Sequence, residues 1–165
     1  DARLRADKSV SVGFVLAALL WPQLAAAWSG YQQQGMRAAA ALNSAIADVR
    51  AQMDRGWGVP QRYSATMREI WVLQTQFEHR RGARPFKLLT QPRFRAAYDF
   101  LLLRTELNEV PAELAQWWQQ FQAASEEDRQ QMSQAAPTTD SGEVKKRRRR
   151  PRKKAAGANS GGTAA

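Results

Sequence analysis

Residues 93–107 place the strongest constraint on the fold of this 165-residue chain. Drawn as a helix with a turn of about 100° per residue, this segment is apolar around nearly its whole circumference. Only Arg95, Asp99 and Glu106 form a continuous polar stripe. A helix of this kind is buried on several sides. We therefore expect it to be the central helix of a helical domain, with Arg95 and Asp99 paired on its exposed face.

Apolar residues at helical spacing continue on both sides of this segment. The predicted helices cover residues 12–28, 36–53, 60–82, 86–89 and 93–107, then a helix begun by Pro111 and a short helix capped by Ser125. No segment alternates polar and apolar residues with a period of two, so we predict no β-sheet. We predict an all-α fold, with a helical body domain at residues 1–125. Residues 126–165 would form an acidic short helix and then a disordered Arg/Lys-rich tail.

Residues 12–28 leave three interpretations open, because 14 of these 17 residues are apolar. A membrane span needs about 20 apolar residues, and Pro22 lies inside this stretch. A signal peptide over the first 27 residues would fit the basic start and the alanines at 25–27. Nine cations at the other end of the chain would be unusual for an exported protein. We favour a buried helix bent at Pro22, with an exported protein as an alternative.

The sequence contains no recognisable set of catalytic or metal-binding residues. Cysteine is absent and His79 is the single histidine, which excludes disulfides, thiol nucleophiles and sites with two imidazoles. Gly-rich phosphate loops and the nucleophile elbow of hydrolases are also missing. The acidic trio at residues 126–128 is best explained as the first turn of a helix, where acids favour the dipole. We predict no catalytic residue, metal or cofactor in this chain.

The net charge of +10 is concentrated near the end of the chain. Residues 144–165 hold nine basic and no acidic side chains, whereas residues 126–143 are net negative. Like charges repel and Pro151 interrupts any helix, so we expect a disordered tail from about residue 135. Such a tail binds polyanions by releasing counterions; a solubilising tail and an import signal are the alternatives. The predicted nucleic-acid contacts here are Lys145, Lys146, Arg147, Arg148, Arg149, Arg150, Arg152, Lys153 and Lys154.

A second basic feature spans residues 80–104, which carry seven cations and one acid. Aromatic residues are interleaved with these cations, a pattern that can bind a phosphate backbone and stack bases. For Phe94 and Tyr98 the helical wheel favours burial. For the cations of the loop and short helix at residues 80–87, two interpretations are equally open. They contact RNA, or they form a solvated or ion-paired surface. The predicted RNA-binding residues of this feature are Arg80, Arg81, Arg84 and Lys87.

The sequence of residues 92–104, PRFRAAYDFLLLR, resembles the signature segment of the C-terminal region of the bacterial poly(A) polymerase I family. Residues 69–74 and 87–89 fit the same pattern in the same order, as do Trp117, Trp118 and Phe121. The resemblance covers about residues 8–125 and the basic tail. It implies that residues 14–24 form a helix inside the domain, which argues against a signal peptide.

That family consists of polynucleotide adenylyltransferases, which add AMP from ATP to RNA 3′ ends without a template. Their chemistry lies in a nucleotidyltransferase head marked by G-[GS] and a downstream D-x-[DE], which holds Mg²⁺; this sequence has no such motif. The resemblance therefore implies a C-terminal region without the catalytic head, and Asp1 in place of an initiator Met agrees with a piece of a longer chain.

The expected partner is single-stranded RNA at its 3′ end, with RNA-decay proteins as further partners and no membrane. The expected location is cytoplasmic, in RNA processing and decay. The alternative is a free-standing helical adaptor with a nonspecific nucleic-acid tail.

Overall fold

The computed structural model describes residues 11–56 and 58–137. In these residues it contains seven α-helices and no strand, which confirms the all-α prediction. The helices are α1 (Val12–Gln33), α2 (Ala38–Gly56), α3 (Gln61–Gln74), α4 (Arg84–Leu89), α5 (Phe94–Glu106), α6 (Ala112–Ala123) and α7 (Glu126–Ala135). From residue 138 onward the predicted disordered tail, with its run at 145–154, lies outside the described residues, whereas α7 continues to Ala135.

Local sequence explains most helix boundaries. The Ser125 side chain accepts a hydrogen bond from the backbone N–H of Asp128 at 3.2 Å, so the predicted cap of α7 is confirmed. Pro111 immediately precedes α6, as expected. The prediction of one helix over 60–82 is wrong, because α3 ends at Gln74. Beyond α3 the chain forms tight turns, in which the backbone amides of Gln76 and His79 donate hydrogen bonds to the carbonyls three residues before them. These turns place Phe77 in the core.

Helices α1, α2 and α3 enclose the first hydrophobic cluster, which we call the N-terminal cluster. Its buried members are Phe14, Ala17, Leu20, Trp21, Leu24, Leu42, Ala45, Ile46, Val49, Met53, Met67, Ile70, Trp71 and Phe100. Small residues let these helices approach closely: a Cβ added to Gly13 would lie 2.8 Å from the Thr66 Cγ2. The Trp71 indole also donates to the Ala17 carbonyl at 3.2 Å, which satisfies a buried donor.

Helix α1 continues through Pro22 to Gln33 and buries only one side. Val12, Val15 and Leu19 are 51%, 43% and 63% exposed, so they form an apolar stripe on its outer face. By length and composition alone α1 could cross a membrane, a test that core helices of water-soluble proteins and signal sequences also pass. Its opposite face packs against α2 and α3, as predicted for a core helix.

The second cluster, here the C-terminal cluster, is built mainly from aromatic rings. Its buried members are Leu73, Phe77, Leu88, Phe94, Ala97, Tyr98, Leu101, Val110, Leu114, Trp118 and Phe121. Trp118 is fully buried at its centre, and its indole N–H donates to the Phe77 carbonyl at 2.9 Å. The two rings meet edge to face at 5.3 Å and 88°, a favourable arrangement for aromatic quadrupoles.

Helix α5 joins the two clusters, which confirms its predicted central position. Phe100 packs into the N-terminal cluster, whereas Leu101 packs into the C-terminal one. The expected pair on its exposed face is present, with Arg95 Nε 3.6 Å from Asp99 Oδ1. The helical wheel placed Leu107 among the apolar residues of this helix. The residue is instead 61% exposed, because the helix ends at Glu106.

Candidate nucleic-acid interface

The predicted RNA-binding surface is carried by a short segment anchored on the C-terminal cluster. Gly82 adopts a positive φ of 68°, and its amide donates to the Ser133 carbonyl of α7 at 3.2 Å. Pro85 and Leu88 bury one side of α4, and the Phe86 ring lies 5.3 Å from that of Phe121. The opposite side of α4 is thereby fixed toward solvent.

Arg84 and Lys87 on α4 and Arg81 in the loop before it are all exposed. Over the described part of the chain, none of the three forms an ion pair with a carboxylate. They therefore present three positive charges on a segment of seven residues whose backbone is held by the core. This arrangement is suited to contacts with phosphates.

Arg80 is placed differently from its three neighbours. The residue is 7% exposed, and its Nη1 donates to a carboxylate oxygen of Glu113 on α6. Its guanidinium carbon also lies 5.9 Å from the centre of the Trp117 ring. Because its side chain is buried and its charge is already paired with the exposed Glu113, the ion-paired interpretation is favoured over the RNA contact that we predicted for it.

Arg104 belongs to the same basic feature of the sequence but is also buried, at 8% exposure. Its Nε donates to Glu109 Oε2 at 3.3 Å, and the Trp21 indole donates to the same oxygen at 2.7 Å. Asn108, with a left-handed φ of 58°, turns the chain so that Glu109 returns to Arg104. Burial lowers the pKa of Arg104, and the hydrogen bond to Glu109 opposes that shift.

Arg129 is a third structural arginine, and sequence reasoning missed its role. Its Nε and Nη2 donate at 2.8 Å to the carbonyls of Phe121 and Gln122, at the end of α6. A cation that binds the last carbonyls of a helix is favourable there. The two carbonyls lie seven and eight residues before Arg129, so the predicted end of α6 shortly before this arginine was the signal that could have indicated the contact.

A cleft of about 380 Å³ opens beside the basic segment of residues 81–87. It lies between the second half of α3 and the turn before α5, and its lining residues are Arg68, Glu69, Val72, Leu73, Gln76, Gln91, Pro92 and Arg93. Arg93 Nε donates to Glu69 Oε2 at 3.0 Å across one end. The sequence did not indicate this cleft, because its two walls are about twenty residues apart and meet only in the folded chain.

The described residues give no sign of catalytic chemistry. Within residues 11–56 and 58–137, no group of three or more acidic, histidine or cysteine side chains could hold a metal ion. His79 lies beside the basic segment, where burial and the charge of Arg84 lower its pKa. The arrangement can bind an anion, and nothing described in it activates a nucleophile or a leaving group.

Comparison with known proteins identifies the family. Residues 34–154 match the family described as the polymerase A arginine-rich C-terminus. That range includes the predicted basic run at 145–154.

Individual relatives agree with this assignment. Poly(A) polymerase I of Escherichia coli O6:H1 is 38% identical over 125 residues, which are 74% of this chain and 27% of that protein. The poly(A) polymerase I of Salmonella typhi is 38% identical over 126 residues, with the same two shares. That of Haemophilus influenzae is 39% identical over 69 residues, or 41% of this chain and 15% of the relative.

The chain thus spans about a quarter of the length of the first two relatives. The resemblance seen in residues 92–104 is confirmed. This chain belongs to the family of polymerase A arginine-rich C-termini.

Proposed function

We propose that this chain is the RNA-contacting C-terminal region of a template-independent poly(A) polymerase that adds AMP from ATP to RNA 3′ ends. The observation that carries the proposal is the family match over residues 34–154, supported by relatives named poly(A) polymerase I. The nucleotidyl transfer, with its ATP and Mg²⁺, is assigned to a head outside this chain. This region is inactive alone and acts in cytoplasmic RNA processing and decay, with RNA-decay proteins as further partners.

In this proposal the chain holds RNA through phosphate contacts. Arg81, Arg84 and Lys87 form one contact surface, and the cations of residues 145–154 form a second. The salt exponent is the steepness with which the logarithm of affinity falls with the logarithm of salt concentration, and each phosphate that a cation neutralises on a single strand adds about 0.7 to it. Contacts of this kind supply affinity and position but little sequence selectivity, which suits an enzyme that extends RNA ends of many sequences.

Arg80 is left out of the contact surface for a physical reason. Breaking its pair with Glu113 would leave a guanidinium that is nine-tenths buried without its charge partner. Its place under Trp117 supports a role in holding the loop that leads into α4. The exposed cations, Arg81 in that loop and Arg84 and Lys87 on α4, are the ones free to exchange counterions for RNA phosphates.

The test is a salt titration of binding to single-stranded RNA. The full chain would be compared with a variant lacking residues 144–154 and with a triple variant of Arg81→Ala, Arg84→Ala and Lys87→Ala. We expect the tail deletion to reduce the salt exponent by up to roughly 6 and the triple variant to reduce it by about 2. A matched triple variant of Arg50→Ala, Arg55→Ala and Arg62→Ala removes the same charge from α2 and α3.

Two outcomes would contradict the proposal. The first is an affinity and salt exponent unchanged by both the deletion and the triple variant. The second concerns the enzyme to which this region is assigned. We expect a reading frame upstream of the Asp1 codon to encode a head with G-[GS] and D-x-[DE]. An in-frame stop without such a head would favour the free-standing helical adaptor.

A further inference from the structure

The cleft between α3 and the turn before α5 has the size and lining of a small-molecule site. Its volume of about 380 Å³ lies within the usual range for ligand pockets, roughly 300–1,000 Å³. Such pockets combine an apolar surface with a few polar groups that fix orientation. Here the apolar part comes from Val72, Leu73 and Pro92, and the polar part from two glutamines, two arginines and Glu69.

The two glutamines lie on opposite walls of the cleft. Gln76 follows the end of α3, and Gln91 precedes α5. Each amide carries both a donor and an acceptor. An adenine edge offers the complementary pair, the N6 amino donor and the N7 acceptor, and glutamine binds it in a bidentate manner. Uracil also presents a donor and an acceptor, but its single ring would cover less of the apolar lining than the two rings of adenine. Apolar side chains between the glutamines can contact the face of such a base.

The charges of the cleft suit a ribonucleotide attached to that base. Arg68 is exposed at the cleft and provides a cation for a phosphate. Glu69 would repel a phosphate, but its carboxylate is paired with Arg93 at 3.0 Å. The net charge of these three side chains therefore remains positive.

The cleft is also joined to the exposed basic segment by a short, ordered turn. The Thr90 hydroxyl donates to the Lys87 carbonyl at 2.8 Å, and the Gln91 amide lies 3.5 Å from the same oxygen. A single strand that contacts Lys87 through its phosphates would pass the mouth of the cleft within a few residues. Gln91 of the cleft therefore lies within one turn of Lys87, close to the cations proposed to contact phosphates.

We propose that this cleft binds one adenine base of single-stranded RNA, with the amides of Gln76 and Gln91 on the base edge and Arg68 on the adjoining phosphate. The inference rests on the proposed function, because it assigns a base preference to the RNA-binding surface described there. The phosphate contacts give general affinity, whereas this site makes an A-rich strand bind more tightly than a U-rich strand.

The test uses the full chain, hexa-adenylate and hexa-uridylate as probes, and fluorescence anisotropy at a fixed salt concentration. We expect hexa-adenylate to bind about fivefold or more tightly, the equivalent of roughly 1 kcal/mol for one bidentate base contact. The double variant Gln76→Ala/Gln91→Ala should bind both probes equally, at the affinity of the uridylate. The matched double variant Gln116→Ala/Gln119→Ala changes two exposed glutamines of α6 outside the cleft and should keep the preference.

A second measurement, by NMR, tests directly whether the two glutamine side chains contact the probe. In ¹⁵N-correlated NMR spectra, the side-chain amide signals of Gln76 and Gln91 should shift on adding hexa-adenylate and shift less with hexa-uridylate. Equal binding of the two probes by the unchanged chain, or a preference that survives in the Gln76/Gln91 variant, would overturn the inference. Either result could occur while the salt exponent still falls in the Arg81/Arg84/Lys87 variant, which would leave the proposed function standing. No RNA binding at all would remove both.

Discussion

The two hydrophobic clusters of this protein are built in different ways. The N-terminal cluster combines small residues, such as Ala17 and Ala45, that bring three helices close together, with ring contacts such as that between Trp21 and Phe100. The C-terminal cluster relies on large rings around Trp118, and it supports the short helix that carries the exposed cations. One half of the fold thus combines close helix contact with aromatic packing, and the other half, through the rings around Trp118, positions the exposed cations that we propose contact RNA.

The largest expected effect is on the aromatic side of this comparison. Trp118→Ala removes a fully buried indole and its hydrogen bond to the Phe77 carbonyl. We expect a loss of about 3–5 kcal/mol in the free energy of unfolding, measured by urea denaturation. RNA affinity at low urea should fall as well, because α4 rests on this cluster.

The matched variant in the other cluster is Leu24→Ala, which also removes a fully buried side chain. We expect a loss of about 2–5 kcal/mol but an unchanged salt exponent of RNA binding while the chain is folded. If Leu24→Ala weakened RNA binding of the folded chain as much as Trp118→Ala does, the division of roles between the clusters would be wrong.

The next effect concerns the polar contact that connects the two clusters. Glu109→Ala removes the carboxylate that accepts from both Trp21 and Arg104, leaving a buried guanidinium with one neutral partner, Gln74. We expect a loss of about 3 kcal/mol in urea denaturation, at the low end for buried charge pairs because Glu109 is one-third exposed.

Adding Arg104→Met to the Glu109 variant tests the cause. Since the unpaired charge is then gone, the double variant should be more stable than Glu109→Ala alone. A double variant less stable than the single one would show that Arg104 contributes by packing against the rings of Trp21 and Trp28 rather than through its charge.

A smaller effect tests close helix contact in the N-terminal cluster. Gly13→Ala would place a Cβ 2.8 Å from the Thr66 Cγ2, and a β-branched side chain on a helix has little freedom to move away. We expect a loss of about 1–3 kcal/mol from overpacking, against a helix-propensity gain of at most about 1 kcal/mol. Thermal denaturation would measure it.

Gly30→Ala on the same helix is the matched control. Nothing lies within 4 Å of its added Cβ, so the helix-propensity gain of up to about 1 kcal/mol should appear as a raised Tm. Stabilisation by both alanines would contradict the close approach of α1 and α3.

The smallest effect is a pH dependence near the C-terminal cluster. Burial lowers the pKa of His79 below its ordinary value of 6.5, so the unfolded chain binds this proton more readily. Stability should therefore decrease as the pH falls through 6.5 and level off below the lowered folded-state pKa. The His79→Gln variant should lose this dependence in urea denaturation between pH 7.5 and 5.5; an equal dependence in both proteins would assign it to other groups.

Sequence periodicity predicted most of this fold because it reports which side of a helix is buried. The spacing of Leu42, Ile46 and Val49 and the nearly all-apolar α5 are confirmed by burial in the clusters. Periodicity failed where a turn keeps the helical spacing, as at Phe77 beyond the end of α3.

The site was harder to predict because charge alone does not distinguish a surface cation from a buried one. Arg80 and Arg81 are adjacent, yet one is paired with Glu113 from 33 residues away and the other is exposed. Only the fold brings Glu113 to that position. The same holds for the cleft, whose walls come from the end of α3 and the turn before α5.

The central claim is that exposed cations on α4, and not the buried arginine beside them, contact RNA. The most direct measurement is the salt exponent of single-stranded RNA binding for Arg84→Ala and Arg80→Ala, each shown to be folded under the binding conditions. We expect Arg84→Ala to lower the exponent by about 0.7 with unchanged stability, whereas Arg80→Ala should lower stability and leave the exponent unchanged. An exponent that falls for Arg80→Ala but not for Arg84→Ala would contradict the central claim.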